Sequence, residues 1–222
     1  MSVVKHIGIL AAGWLLSVSA FGQPEEAPGP NAHDIVRDAS EQVMQVVEAA
    51  HDYVDDDPQR YYDAVHEVLD PVIDFRGFAR SVMGPYASRE YYQSLDEAGR
   101  VELRAQLERF TSVMRVGLVR TYGKGLLAFS GSRIEVGGPT AEEAAMSRVA
   151  VRQLIYSDEV QPYVLTYQMG KNKAGEWKLR NVIIETVNLG EIYRNQFQAA
   201  AREHDGDLNA VIDSWSSVEI ES

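Results

Sequence analysis

Between Glu176 and Phe197 the chain reads EWKLRNVIIETVNLGEIYRNQF, and its hydrophobic period changes there almost without a break. Residues 177–187 alternate in the manner of a half-buried strand. From residue 189 the apolar positions repeat at the spacing of an amphipathic helix. The hinge is Asn188-Leu189-Gly190. A strand that feeds directly into a helix sets two apolar surfaces at a corner, and such a corner can wall a cavity.

The rest of the chain divides by the same criterion. Upstream of Leu126 the apolar residues recur at helical spacing, and after it the period is two. Asp34 is the expected cap of a first long helix, with Ile35, Ala39, Val43, Val46, Val47, Ala50 and Val54 on one face and Asp55-Asp56-Asp57 as its end. Asp57-Pro58 then reads as a cap and first-turn pair for a second helix through Leu69, which Asp70-Pro71 breaks. Asp74 caps the segment FRGFARSVMG, and Gly84 is its expected stop. Ser94-Leu95-Asp96-Glu97 reads as a capping box opening the longest helix, which is predicted to run through Tyr122 and stop at Gly123. Gly117, inside that helix, marks a close packing contact.

Four strands are predicted, at 127–136, 146–156, 162–170 and 176–187. The joins Gly137-Gly138-Pro139, Asp158-Glu159 and Asn172-Lys173-Ala174-Gly175 are short enough to make hairpins and hence a meander. Helices at 189–203 and 207–217 close the chain. The expected class is α+β, with helices packed on a curved four-stranded antiparallel sheet that encloses an apolar pocket.

The N-terminus is a different kind of segment. Lys5 precedes a short apolar run, Ile7 to Val18, and small-residue sites follow at Val18-Ser19-Ala20 and Ala20-Phe21-Gly22. That order reads as a signal peptide over 1–22, its apolar run being shorter than the ~20 residues of a membrane span. A polar, Pro-rich leader over 23–32 follows, and then a single domain over 33–218. The chain has no cysteine, so its core alone must hold it and a lipid-modified cysteine is excluded. An exported, Cys-free chain fits the bacterial periplasm.

Charge narrows the partners. The net charge is −12, and residues 21–75 hold fourteen Asp or Glu against two Arg. An acidic first third argues against nucleic acid and against adsorption to anionic lipid.

Catalytic patterns are sparse. No Cys and no G-x-S-x-G are present, and the histidines lie on separate helices without metal-ligand spacing. Neither a catalytic residue, a metal nor a cofactor is expected. Two weaker candidates remain. His66 shares a helix face with Asp63 and Asp70. Asn181 and Glu185 fall on the same predicted strand face as Leu179, Ile183 and Val187, where a structural hydrogen-bond role, with Arg152 as one partner, competes with a general base.

Two blocks carry a family resemblance. One is PVIDFRGFARSVMGPY (71–86), followed by Phe110, Met114 and Tyr122 in an F-x3-M-x7-Y pattern. The other is EWKLRNVIIETVNLGEIYRNQF with the downstream GDLNAVIDSW (206–215). Together they resemble the MlaC, or toluene-tolerance auxiliary, family over residues 33–217. The resemblance implies a monomeric periplasmic carrier of glycerophospholipids. It would shuttle them between an outer-membrane lipoprotein–porin complex and an inner-membrane ABC transporter with an MCE-domain subunit, maintaining the lipid asymmetry of the outer membrane. Acyl chains would occupy the apolar pocket.

The expected pocket walls follow from the stripes. Phe75, Phe78 and Val82 supply one helix, and Phe110, Met114 and Leu118 the long helix. Val149, Val151, Leu165, Tyr167, Ile183 and Val187 supply the sheet, with Leu189 and Tyr193 at the corner. Two other functions stay open on the residues alone: a small cone-like enzyme using Glu185 or His66, and a periplasmic holdase.

Overall fold

The computed structural model describes residues 29–129, 132–157 and 161–218. The expected signal peptide lies outside the described residues. Three helices come first. Helix α1 (Ala32–Ala50) is capped by Asn31, whose side chain accepts from the amides of His33 and Asp34. The cap is therefore three residues upstream of the expected Asp34, which sits instead in the first turn, where a carboxylate complements the helix dipole. Helix α2 (Pro58–Leu69) opens on Asp57-Pro58 as expected, with the Asp57 carboxylate accepting from the Arg60 amide. Helix α3 (Phe75–Met83) is capped by Asp74 and ends at Gly84, whose φ of 55° favours glycine.

A 3-10 turn (Gly84–Ala87) and the short α4 (Arg89–Ser94) lead into α5 (Glu97–Leu127). Ser94 closes α4 rather than opening α5, and Asp96 is the cap. Nor does α5 stop at Gly123. The Tyr61 hydroxyl donates to the Gly123 carbonyl at 2.8 Å, and a Cβ at Gly123 would meet the Tyr62 ring at 3.1 Å. That glycine marks where α2 presses on α5, not where the helix ends.

The sheet is an antiparallel meander of five strands in chain order: β1 (Arg133–Val136), β2 (Arg148–Tyr156), β3 (Tyr163–Lys171), β4 (Trp177–Ile184) and β5 (Val187–Asn188). The count is five rather than four because the predicted 176–187 strand turns at Glu185-Thr186. Glu185 has a φ of 55°. Its amide donates to the Val164 carbonyl at 2.8 Å, and its carboxylate accepts from the Val164 amide at 2.6 Å. Residue 127, placed at the head of the first strand, belongs to α5 instead. Helices α6 (Leu189–Glu203) and α7 (Leu208–Val218) follow.

One irregularity in β4 decides which side chains face the helices. Leu179 pairs with Met169 and Asn181 with Gln168, so Arg180 is an extra residue with no partner on β3. A bulge of one residue flips the alternation beyond it. Leu179 before the bulge and Val182 and Ile184 after it share the face of Met169, Tyr167 and Leu165, with which they pair. The outer edge of β4 at this point is covered by the loop before α3. The Leu179 amide donates to Val72, and the Asp74 amide donates to Leu179, making a short parallel bridge at Ile73.

Apolar burial falls into three clusters. The most aromatic joins α3, α5, α6 and α7 around Phe78, Met83, Phe110, Met114, Phe197 and Ile212. There the Phe110 ring lies 4.9 Å from Phe197 and 5.3 Å from Trp215. A second packs Ala32 and Val36 of α1 on Val149, Val151, Met169 and Leu179 of the sheet. The third holds α1, α2 and α5 together through Val47, Tyr61, Val65 and Val119.

Candidate functional site

Between α1, α2, α3 and α5 on one side and the sheet on the other lies a cavity of about 330 Å³. The sheet supplies Ile155 from β2, Tyr163, Leu165, Tyr167 and Met169 from β3, and Leu179, Val182 and Ile184 from β4. The β3 residues do so because their alternation is unbroken. The β4 residues do so because the bulge at Arg180 restores apolar side chains to this face. Helix α1 contributes Val36, Ala39 and Val43, α2 Val65 and Leu69, and α5 Leu118, Tyr122 and Leu126. Gly125 and Tyr163 are the exposed lining residues and mark where the cavity meets solvent.

Six of the expected wall residues meet on this cavity: Phe75, Phe78, Leu118, Leu165, Tyr167 and Leu189. The other eight are placed elsewhere. Val82, Phe110 and Met114 are buried in the aromatic cluster among α3, α5, α6 and α7. Tyr193 packs against the same cluster, its hydroxyl 3.4 Å from that of Tyr122. Val149 and Val151 share the sheet face but pack in the cluster with Ala32 and Val36 of α1 and are not among the cavity-lining residues. Ile183 falls on the opposite face because of the bulge. Val187, beyond the Glu185 turn, is 43% exposed. Phe78 and Leu118 belong both to the cavity wall and to the aromatic cluster.

The polar residues at the corner are structural. The Asn181 side chain donates to Asn188 Oδ1 at 2.8 Å and to Gln168 Oε1 at 3.2 Å, and accepts from the Gly190 amide at 2.9 Å. Asn188 in turn caps α6 by accepting from the Glu191 amide. This network clamps strand to helix at the hinge. Glu185 bonds to the Val164 backbone, so Arg152 partners neither residue. Arg180 is the only charged residue among the described residues that line the cavity, and it is ion-paired with the α3 cap Asp74.

His66 does not line the cavity. Burial lowers its pKa from the usual histidine value, and Arg115 adds to that while Asp70 and Asp63 oppose it. Asp70 is paired with Arg115 at 3.0 Å, and Asp63 accepts from Gln59 at 2.7 Å. The three residues that share a helix face are thus engaged separately.

A polar pair escaped the sequence reading. Gln153 lies on the apolar face of β2 and is 2% exposed. Its Oε1 accepts from the Tyr167 hydroxyl at 2.5 Å, and Ser40 of α1 lines the same cavity. Burial drives the Tyr167 pKa far above the ordinary phenol range, so this hydroxyl stays protonated. The signal was legible: Gln153 stands in register with Val149, Val151 and Ile155 on an otherwise apolar face.

Compared with known protein families, the chain matches the MlaC protein over residues 37–217. It belongs to the MlaC family. This MlaC-family chain is 29% identical over 210 residues to the toluene tolerance protein ttg2D of Pseudomonas putida, a match that covers 95% of this chain and 91% of that protein. Among solved structures it resembles a phospholipid-binding protein from Ralstonia solanacearum in complex with a phospholipid. The TM-score is 0.71 at 20% identity, over 86% of this chain and 98% of that one. The two share a fold.

Proposed function

We propose that this protein is a periplasmic phospholipid carrier. The observation that carries the reading is the cavity: about 330 Å³, walled on both sides by apolar side chains, with its one charged lining residue neutralised by Asp74. That size lies in the range of ligand pockets, about 300–1,000 Å³. Each methylene moved out of water is worth about 0.8 kcal/mol, so a free diacyl lipid does not cross an aqueous space at a useful rate. A carrier must hide the chains and can leave the headgroup wet. A phospholipid-bound structural neighbour and a toluene-tolerance relative support the assignment.

The carrier works without chemistry. Neither Glu185 nor His66, the residues an enzymatic reading would use, fronts on the cavity. We extend the proposal to the cellular setting that the family implies: a monomer exported by residues 1–22. It exchanges glycerophospholipids with an inner-membrane MCE-domain ABC transporter complex and an outer-membrane lipoprotein–porin complex, and so maintains outer-membrane asymmetry.

The test is solvent extraction of protein purified without detergent, followed by mass spectrometry. Diacyl phospholipid in stoichiometric amount is the expected result. Protein that carries none, and takes up none from vesicles, would overturn the reading.

A further inference from the structure

The Gln153 amide poses an unsolved problem inside the cavity. Its oxygen is occupied by Tyr167, while its Nε2 meets no acceptor among the described residues. No fully enclosed side-chain polar atom lacks a partner among the described residues, so this nitrogen opens onto the cavity space itself. Filling that space with hydrocarbon alone would strand a desolvated N–H donor, which costs free energy. The side chain is held in place: Gln153 is 2% exposed and the Tyr167 hydroxyl fixes its oxygen.

Its depth is informative. Gln153 pairs with Leu165, one same-face residue in from Tyr163, the exposed lining residue at the cavity's open end. Two residues along a strand span about 7 Å. A lipid whose headgroup sits at that opening has its ester carbonyls one glycerol unit below the headgroup, and the acyl chains beyond. Carbonyl oxygens accept and do not donate, which complements a free amide N–H.

We propose that Gln153 is a specificity-determining residue that donates a hydrogen bond from Nε2 to an ester carbonyl of a bound diacyl lipid, with Tyr167 holding it in place. This rests on the carrier reading above. It adds that the ligand is recognised at its acyl linkage, independently of headgroup.

The experiment compares delipidated protein binding to two phosphatidylcholines of matched chain length, one diester and one diether, the latter lacking both carbonyls. Wild-type protein is expected to favour the diester by about five- to ten-fold, the effect of one hydrogen bond to a buried donor. Gln153→Leu is expected to bring that ratio to about one while retaining diether binding. If wild-type protein binds the two lipids equally well, the Gln153 assignment is overturned and the carrier reading stands. If it binds neither, the carrier reading fails. A wild-type ratio of about one overturns the proposal even where the leucine variant does not fold.

Discussion

Asn181 accepts a hydrogen bond from the Gly190 amide at 2.9 Å, so a residue in the last regular stretch of the sheet holds the first turn of the next helix. The approach is close enough to require glycine: a Cβ at position 190 would lie 2.9 Å from Asn181 Oδ1. Gly190→Ala should therefore destabilise the protein by about 1–3 kcal/mol, as overpacking does. Urea denaturation should show the loss. The double variant Asn181→Ala with Gly190→Ala should lose less than the sum of the two single changes, because the first removes the atoms the new methyl meets.

Position relative to the bulge should govern cargo. Leu165 lines the cavity and Val187 does not. Leu165→Trp is expected to fill cavity space and lower the phospholipid that co-purifies, while leaving a folded protein. Val187→Glu, at a site 43% exposed, is expected to keep its lipid. Lipid-to-protein ratios from extraction and mass spectrometry distinguish the two. An unchanged ratio in Leu165→Trp would place the ligand elsewhere.

Tyr61 is fully buried, and its hydroxyl donates to the Gly123 carbonyl at 2.8 Å. Burial, with Tyr62 and Tyr53 nearby, raises its pKa to about 12, so it remains a donor throughout the physiological range. Tyr61→Phe should cost about 0.5–1.5 kcal/mol by removing a buried hydrogen bond between α2 and α5. Hydrogen exchange should quicken in the last turns of α5 before it does in the sheet.

Stability should also fall as the solution is acidified through the histidine range. His66 has a folded-state pKa below its ordinary value of 6.5, chiefly through burial. Between those two values the unfolded chain binds more protons than the folded one, so stability rises with pH across that window. The loss begins as pH drops below about 6.5 and is complete below the folded-state value. His66→Gln should flatten the slope of unfolding free energy against pH in that interval. A slope unchanged by the substitution would assign the effect to other groups.

Much of the architecture was legible because it depends on short-range chemistry. Asp57-Pro58, Asp74 and Gly84 act as helix punctuation through their own backbone and side-chain geometry, and each behaves as its residue type dictates. The cavity wall was less legible, for two physical reasons. In β4 the residues Val182, Ile183 and Ile184 are all apolar, so the alternation is silent about the face reversal that Arg180 introduces. And a helical stripe such as Phe110-Met114-Leu118 shows that one side of α5 is buried, but not against what. Phe110 and Met114 meet aromatic rings and helices, whereas Leu118, one turn further on, reaches the cavity. Gly123 misled for a related reason. A glycine at a helix end and a glycine under a neighbouring tyrosine look alike until the neighbour is known.

Phe78 and Leu118 are the only described residues common to the cavity wall and to the aromatic cluster beneath it. They form a thin bulkhead between a hollow half of the molecule and a solid one. Cargo can enter and leave the hollow half while Phe110, Phe197 and Trp215 keep their mutual packing. A carrier of the proposed kind, built this way, does not have to refold at each delivery, because the ring packing of α6 and α7 lies outside the hollow.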